Sequence, residues 1–185
     1  MIDDTLLDSE EKMDKAVAVA KEEFGVIRTG RAHPSMFSKL TAEYYGTPTP
    51  LNQLASFQMP EPRMVIVQPF DKSSMSAIER SIRDSDLGVN PTDDGVVIRV
   101  VFPDLTEERR KEYIRVARHK AEDSRISIRN IRRHGKDAID KMVKNGEAGE
   151  DEGRRAVHEL DNLTKNYVDQ VDELLKHKES ELLEV

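Results

Sequence analysis

Apolar and small residues recur at alternating steps of three and four along three long stretches of this chain, and the rhythm breaks between about Gly30 and Asp104. The first stretch sets Leu6, Met13, Val17, Ala20, Phe24 and Ile27 on one helical face. The second sets Ile114, Ala117, Ala121, Ser124, Ile128, Ile131, Gly135, Ala138 and Met142 there, and the third Val157, Leu160, Thr164, Tyr167, Val171 and Leu174. At about 100° per residue such spacing makes a narrow seam on each helix, which is buried when seams pack on one another. Three such helices predict an elongated bundle over residues 1–29 and 106–185. Thr106, followed by Glu107 and Glu108, makes a good N-cap with first-turn acids and starts the second helix. The acidic segment from Gly146 to Gly153 reads as the turn into the third. Gly135 lies on a seam, where glycine costs up to about 1 kcal/mol relative to alanine. It either admits a close helix approach or weakens the helix, and the pattern leaves both open.

Between Gly30 and Asp104 lie all eight prolines of the chain, and strand-like runs appear at Leu40–Tyr45, Met64–Val67 and Val96–Phe102. The segment from Tyr44 to Pro50 reads as a strand ending in a rigid turn. One helix is predicted from Ser74 to Ser85, with Ser76 and Glu79 at capping-box spacing and Asp86-Leu87-Gly88 as its stop. Residues 31–104 are therefore expected to form a small β/α/β domain inserted into the bundle, an α+β architecture. Two segments, Thr29-Gly30-Arg31 and Asp104-Leu105-Thr106, must connect bundle and insertion. Gly30 tolerates backbone angles other residues avoid, so these segments form either a two-stranded hinge or an ordinary fixed boundary.

Charge separates the three helices. From Arg109 to Lys136 there are 11 basic against 3 acidic residues, within a chain of net charge −7. Residues 1–23 carry 3 basic against 8 acidic groups and residues 147–185 carry 5 against 12. On the second helix Lys111, Arg115, Arg118, Arg125, Arg129, Arg132, Arg133 and Lys136 share one flank of the seam. Eight cations on one flank repel each other unless an anion is due, which points to a polyanion site. The acidic helices read as solvated faces with scattered i,i+4 pairs.

Composition removes other classes. With no cysteine there is no disulfide framework and no thiol-based metal or redox site. The five histidines, at positions 33, 119, 134, 158 and 177, have no metal-ligand spacing, so no metal is expected. No nucleophile–base set or phosphate-cradling glycine loop is visible, so no catalytic residue or cofactor is expected and nucleotide chemistry would belong to a partner. No apolar run approaches the roughly 18 residues of a membrane span, and Met-Ile-Asp-Asp is no signal sequence. A cytoplasmic protein without membrane partners is expected. A coiled-coil scaffold would explain the helices but leave the basic flank and the insertion without a role.

Five ordered blocks resemble the bacterial ribosome recycling factors from end to end. They are Ile27–Ala32, Glu43–Pro48, Asp86–Pro91, Leu105–Arg110 and Arg129–Arg133. The resemblance implies a monomeric, bent, tRNA-like molecule that binds the 70S ribosome after termination. With elongation factor G and GTP, the nucleotide held by that partner, it would split the ribosome into subunits and release messenger RNA and deacylated transfer RNA. It further implies that the bundle anchors on large-subunit ribosomal RNA through Arg28, Arg31, Arg129, Arg132 and Arg133. The small domain would face elongation factor G, around Tyr44, Tyr45 and the Asp86–Pro91 turn, and swing at the hinge segments 29–31 and 104–106.

Overall fold

The computed structural model describes residues 1–184. Three long helices, α1 (Ile2–Gly25), α4 (Glu107–Lys144) and α5 (Glu150–Leu183), form a bundle, and the chain between α1 and α4 builds a small sheet domain. That insertion runs β1 (Thr41–Tyr44), β2 (Thr47–Pro50), a one-turn helix α2 (Leu51–Leu54), β3 (Ala55–Glu61), β4 (Met64–Pro69), α3 (Met75–Arg83), β5 (Thr92–Asp93) and β6 (Ile98–Val101). By internal contacts the chain divides into Met1–Phe24 with Arg115–Glu179, and Gly25–Ile114 with the residues from Ser180 on.

In the helical unit the seams read from the sequence are buried in part: Ser124, Ile131, Ala138, Met142, Val157, Thr164 and Leu174 are half-buried, and toward the end of α4 Ile139 is buried instead. Leu6, Met13, Val17, Ala20 and Phe24 of α1, Ala117, Ala121 and Ile128 of α4, and Leu160, Tyr167 and Val171 of α5 are all buried. Gly135 is buried too, and a Cβ there would lie 2.7 Å from Ser9 Oγ on α1 and 3.1 Å from a Leu160 methyl on α5. Glycine therefore admits a close approach of three helices at this level. The Thr106 cap is present, its Oγ1 accepting from Arg109 N at 3.2 Å.

The α4–α5 turn is shorter than expected. Gly146, at φ +73°, ends α4 in a left-handed cap. Glu147 N donates to Met142 O at 2.9 Å and Gly146 N to Val143 O at 3.1 Å, the paired bonds of a Schellman motif. Helix α5 resumes at Glu150, so Gly153 is helical rather than part of the turn.

The sheet unit has two antiparallel sheets, β1-β2 and β3-β4-β6-β5. Its core includes Phe37, Leu51, Val65, Val67, Ile78, Ile82, Ile98, Val100 and Phe102. Segment 44–50 is not a strand with a terminal turn but a hairpin, with Tyr44 paired to Thr47. Its two-residue turn uses positive φ at Tyr45 (50°) and Gly46 (78°), matching the twist of the flanking strands. Helix α3 also departs from expectation. Ser76 lies inside it, and the preceding 3-10 turn is capped by Asp71, which accepts from Ser73 N at 2.9 Å.

Candidate nucleic-acid interface

The basic flank of α4 consists of two lines with different fates. Arg118, Arg125 and Arg132 repeat at heptad spacing and reach across to α5. Arg118 Nε lies 2.8 Å from Glu179, Arg125 Nη2 2.7 Å from Asp172, and Arg132 Nε 2.5 Å from Asp161. Arg125 also bonds Glu122 at 3.1 Å. Burial lowers the Arg125 pKa, but bonds and charge from Asp172 and Glu122 outweigh it and hold the group above its ordinary value. Lys136 is turned to Asp140 at 2.6 Å along its own helix.

The second line is open. Arg115 and Arg133 are exposed and make no ion pair among the described residues. Arg129 is exposed and has only a long contact of 3.8 Å to Glu122. By helical rotation Arg115, Arg129 and Arg133 sit roughly 20–60° from Arg118, on the side away from Arg125 and Arg132. The anions that hold the first line are thus within the molecule. The acids of α5 are not all turned away, because Asp161, Asp172 and Glu179 border the cationic flank directly.

Arg28 departs furthest from its expected RNA contact. It is 8 % exposed. Its Nη1 donates to Leu87 O at 3.3 Å, its Nη2 to Pro103 O, and its guanidinium lies 5.6 Å from the centre of the Phe102 ring. Buried in this way, Arg28 fastens the segment after α1 to the Leu87 turn and to the chain after β6 rather than presenting its guanidinium at the surface. Burial pushes its pKa down while Tyr113 opposes the shift. Arg31 is exposed and lies 3.9 Å from Glu184.

The hinge candidates Thr29, Gly30, Arg31, Asp104, Leu105 and Thr106 all fall in irregular chain between helix and sheet. Thr29 is buried, with Oγ1 donating to Arg31 O at 3.0 Å. Gly30 does not use a left-handed backbone, and a Cβ there would be in ordinary contact with Glu184 O at 3.5 Å. Asp104 pairs with Arg63 at 2.5 Å, and Leu105 is buried.

Within the sheet unit Tyr45 is 85 % and Phe70 70 % exposed. Tyr44 donates to Asp71 Oδ2 at 3.0 Å and stacks edge-on against Tyr45, so these rings share one surface with Phe70's chain neighbour. Phe70 had no signal in the sequence beyond its place after a proline. The Asp86–Pro91 turn alternates, with Leu87, Val89 and Pro91 buried and Asp86, Gly88 and Asn90 exposed. Among the described residues no three His, Asp or Glu side chains converge as metal ligands, and no helix is long and apolar enough to cross a membrane.

Fold and surface together define an α+β binding protein whose distinctive chemistry is a cationic helix face. Residues 20–183 match the model of the family described as Ribosome recycling factor. The chain is 70% identical over 185 residues, the whole of both chains, to the ribosome-recycling factor of Streptomyces coelicolor. It is 69% identical over the same length to that of Thermobifida fusca. A solution structure of a ribosome recycling factor superposes with a TM-score of 0.80 at 38% identity, covering 100% of this chain and 98% of that one. A second structure, of the T. thermophilus factor with E. coli elongation factor G on the E. coli post-termination complex, superposes with a TM-score of 0.72 at 40% identity, each chain fully covered. The chain belongs to the ribosome recycling factor family. As a member it is a translation factor and not an enzyme.

Proposed function

We propose that this protein acts in the cytoplasm on the post-termination ribosome. With elongation factor G and GTP it splits the ribosome into subunits, so that messenger RNA and deacylated transfer RNA leave. The observation that carries this is full-length identity of 70% to a named ribosome-recycling factor. A related factor at 40% identity has also been described together with elongation factor G on that complex. In this reading the helical unit grips large-subunit ribosomal RNA through the open line Arg115, Arg129 and Arg133, assisted by Arg132 and, at the other unit, Arg31. Arginine suits the work because its planar fork grips two phosphate oxygens and can stack on an unpaired base. Arg28 serves indirectly, by fixing the chain around the hinge segments. The sheet unit meets elongation factor G, with the exposed Tyr45 and Phe70 as the apolar contact, and residues 29–31 and 104–106 flex where the inserted sheet joins α1 and α4.

Light scattering of post-termination ribosomes tests this, with a cognate elongation factor G, GTP and an initiation factor to trap small subunits. The native protein is expected to give a GTP-dependent fall in scattering. Arg129→Ala with Arg133→Ala should slow that fall at least tenfold and flatten the log–log salt dependence of large-subunit binding by about 1.4 to 1.8, from roughly 0.7–0.9 per charge. No fall with native protein overturns the assignment. A normal salt slope in the double variant moves the RNA grip elsewhere.

A further inference from the structure

The acids of α5 sit where a polyanion's own charges would have to go. Asp161, Asp172 and Glu179 each hold one guanidinium of the heptad line at 2.5–2.8 Å. Their side chains are 45 %, 48 % and 28 % exposed and those of their partners Arg132, Arg125 and Arg118 are 35 %, 19 % and 63 %, so each pair keeps access to water, the Arg125 pair least. Pairs as open as those of Arg118 and Arg132 add little to stability, so a strut role would explain at most the half-buried Arg125 pair and not three acids in register on one helix–helix edge. They do change what the surface offers. Without them the flank would present the heptad line and the open line together, and any flexible RNA could neutralise both. With them, among the described residues of this flank Arg115 and Arg133, and Arg129 with its long contact to Glu122, are open to phosphate at once, and the other three arginines must first exchange one anion for another.

From this we infer that Asp161, Asp172 and Glu179 are specificity-determining residues, built-in competitors for phosphate that suppress binding to unstructured RNA. The inference rests on the RNA-binding reading of α4. A rigid RNA surface whose phosphates match the spacing of the open line is gripped without displacing the carboxylates, or repays the exchange with many contacts. A random single strand neutralises only the open line. Since affinity for a polyanion follows the number of charges neutralised, each masked arginine removes about 0.7 from the log–log salt slope for single-stranded RNA.

The test compares binding of a fluorescent oligouridylate and of isolated large subunits across a potassium chloride series. Three proteins enter: native, Asp161→Asn/Asp172→Asn/Glu179→Gln, and a charge-matched control, Glu152→Gln/Glu159→Gln/Glu173→Gln. The control acids are exposed and lie about 120–180° around α5 from the pairing line. The first triple variant should bind oligouridylate at least tenfold more tightly than native, with a slope steeper by about 2, while large-subunit affinity rises much less. The control should show a small gain at unchanged slope. Equal gains in both variants mean that net charge alone is at work, and no gain in the first means that the pairs are struts; either overturns the inference. Failure of native protein to bind large subunits would instead refute the function proposed above, and the oligouridylate arm would still report on masking.

Discussion

Gly135 shows how one atom sets the spacing of three helices. A methyl group there would gain up to about 1 kcal/mol of helix propensity, but it would meet Ser9 Oγ at 2.7 Å and Leu160 at 3.1 Å. Ser9 cannot turn aside freely, because it is 3 % exposed and its hydroxyl donates to Thr5 O at 2.8 Å. Overpacking of this kind costs about 1–3 kcal/mol. Gly135→Ala is therefore expected to destabilise by about 1 kcal/mol net. In a Ser9→Ala background the nearer obstacle is gone, and the same change should be close to neutral. Urea unfolding of the four proteins in a double-mutant cycle measures the coupling; an additive result would mean that Leu160 alone sets the clash. The sequence placed Gly135 on the seam but could not choose between close approach and weakness, since the deciding atoms are on helices 126 and 25 residues distant in the chain. The burial of Arg28 was not legible in the sequence. Its partners are 59 and 75 residues away.

Among the elements, those with the strongest rhythm were the ones read correctly. The long helices needed only the three–four spacing, and strands β4 and β6 announced themselves as short, nearly continuous apolar runs at Met64–Val67 and Val96–Phe102. Strand β2 hid because it reads Thr-Pro-Thr-Pro, a composition tolerated only at a sheet edge. Strand β3 has mostly exposed positions and a register shift between Gln58 and Glu61, so it shows no alternation to read. The pairing of α4 with α5 was hidden as well: the acids that hold Arg132, Arg125 and Arg118 are 29, 47 and 61 residues away. The lead-in to α3 was assigned to the wrong cap, and its chemistry is testable. Asp71 is held below the usual carboxylate range, first by the backbone N–H of Ser73, then by the Ser73 and Tyr44 hydroxyls. A depressed folded-state pKa contributes stability above the unfolded value, about 3.9, and loses it as pH falls through the folded value. Asp71→Asn keeps an acceptor for the cap but removes the charge. Its urea midpoint should lie below the native one at pH 6, and the gap should close steadily below about pH 4. A gap that persists at pH 2.5 would assign the effect to hydrogen-bond geometry rather than to charge.

For the molecule as a whole, the proposed action requires motion, and helix continuity limits where that motion can occur. Helix α4 runs unbroken through Ile114–Arg115, and α5 through Glu179–Ser180, so a bend at either place would break backbone hydrogen bonds. Residues 26–31 and 103–106 lie in no helix or strand. They adjoin Ala32 and Phe102, whose N–H groups donate to Pro62 O and Arg63 O at 2.7 Å. Motion by domain closure concentrates in a few residues of this type. Contacts made by these segments resist it. Arg63 on the β3–β4 turn pairs with Asp104, and Arg31 with Glu184 just beyond α5, around a cavity of about 370 Å³ that all four residues line. Pairs this exposed are weak, which suits contacts that must be exchanged during a working cycle. Because the chain has no cysteine, Arg63→Cys with Glu184→Cys can be bridged selectively by a short cleavable bis-maleimide. The bridged protein should bind large subunits as the unbridged variant does, through the untouched arginines of α4, yet fail to lower light scattering with elongation factor G and GTP. Cleaving the bridge should restore splitting, which separates the tether from any damage done by the substitutions. Full splitting by completely bridged protein would eliminate flexing at these segments as the motor element and leave the rigid-body grip of α4 to account for recycling.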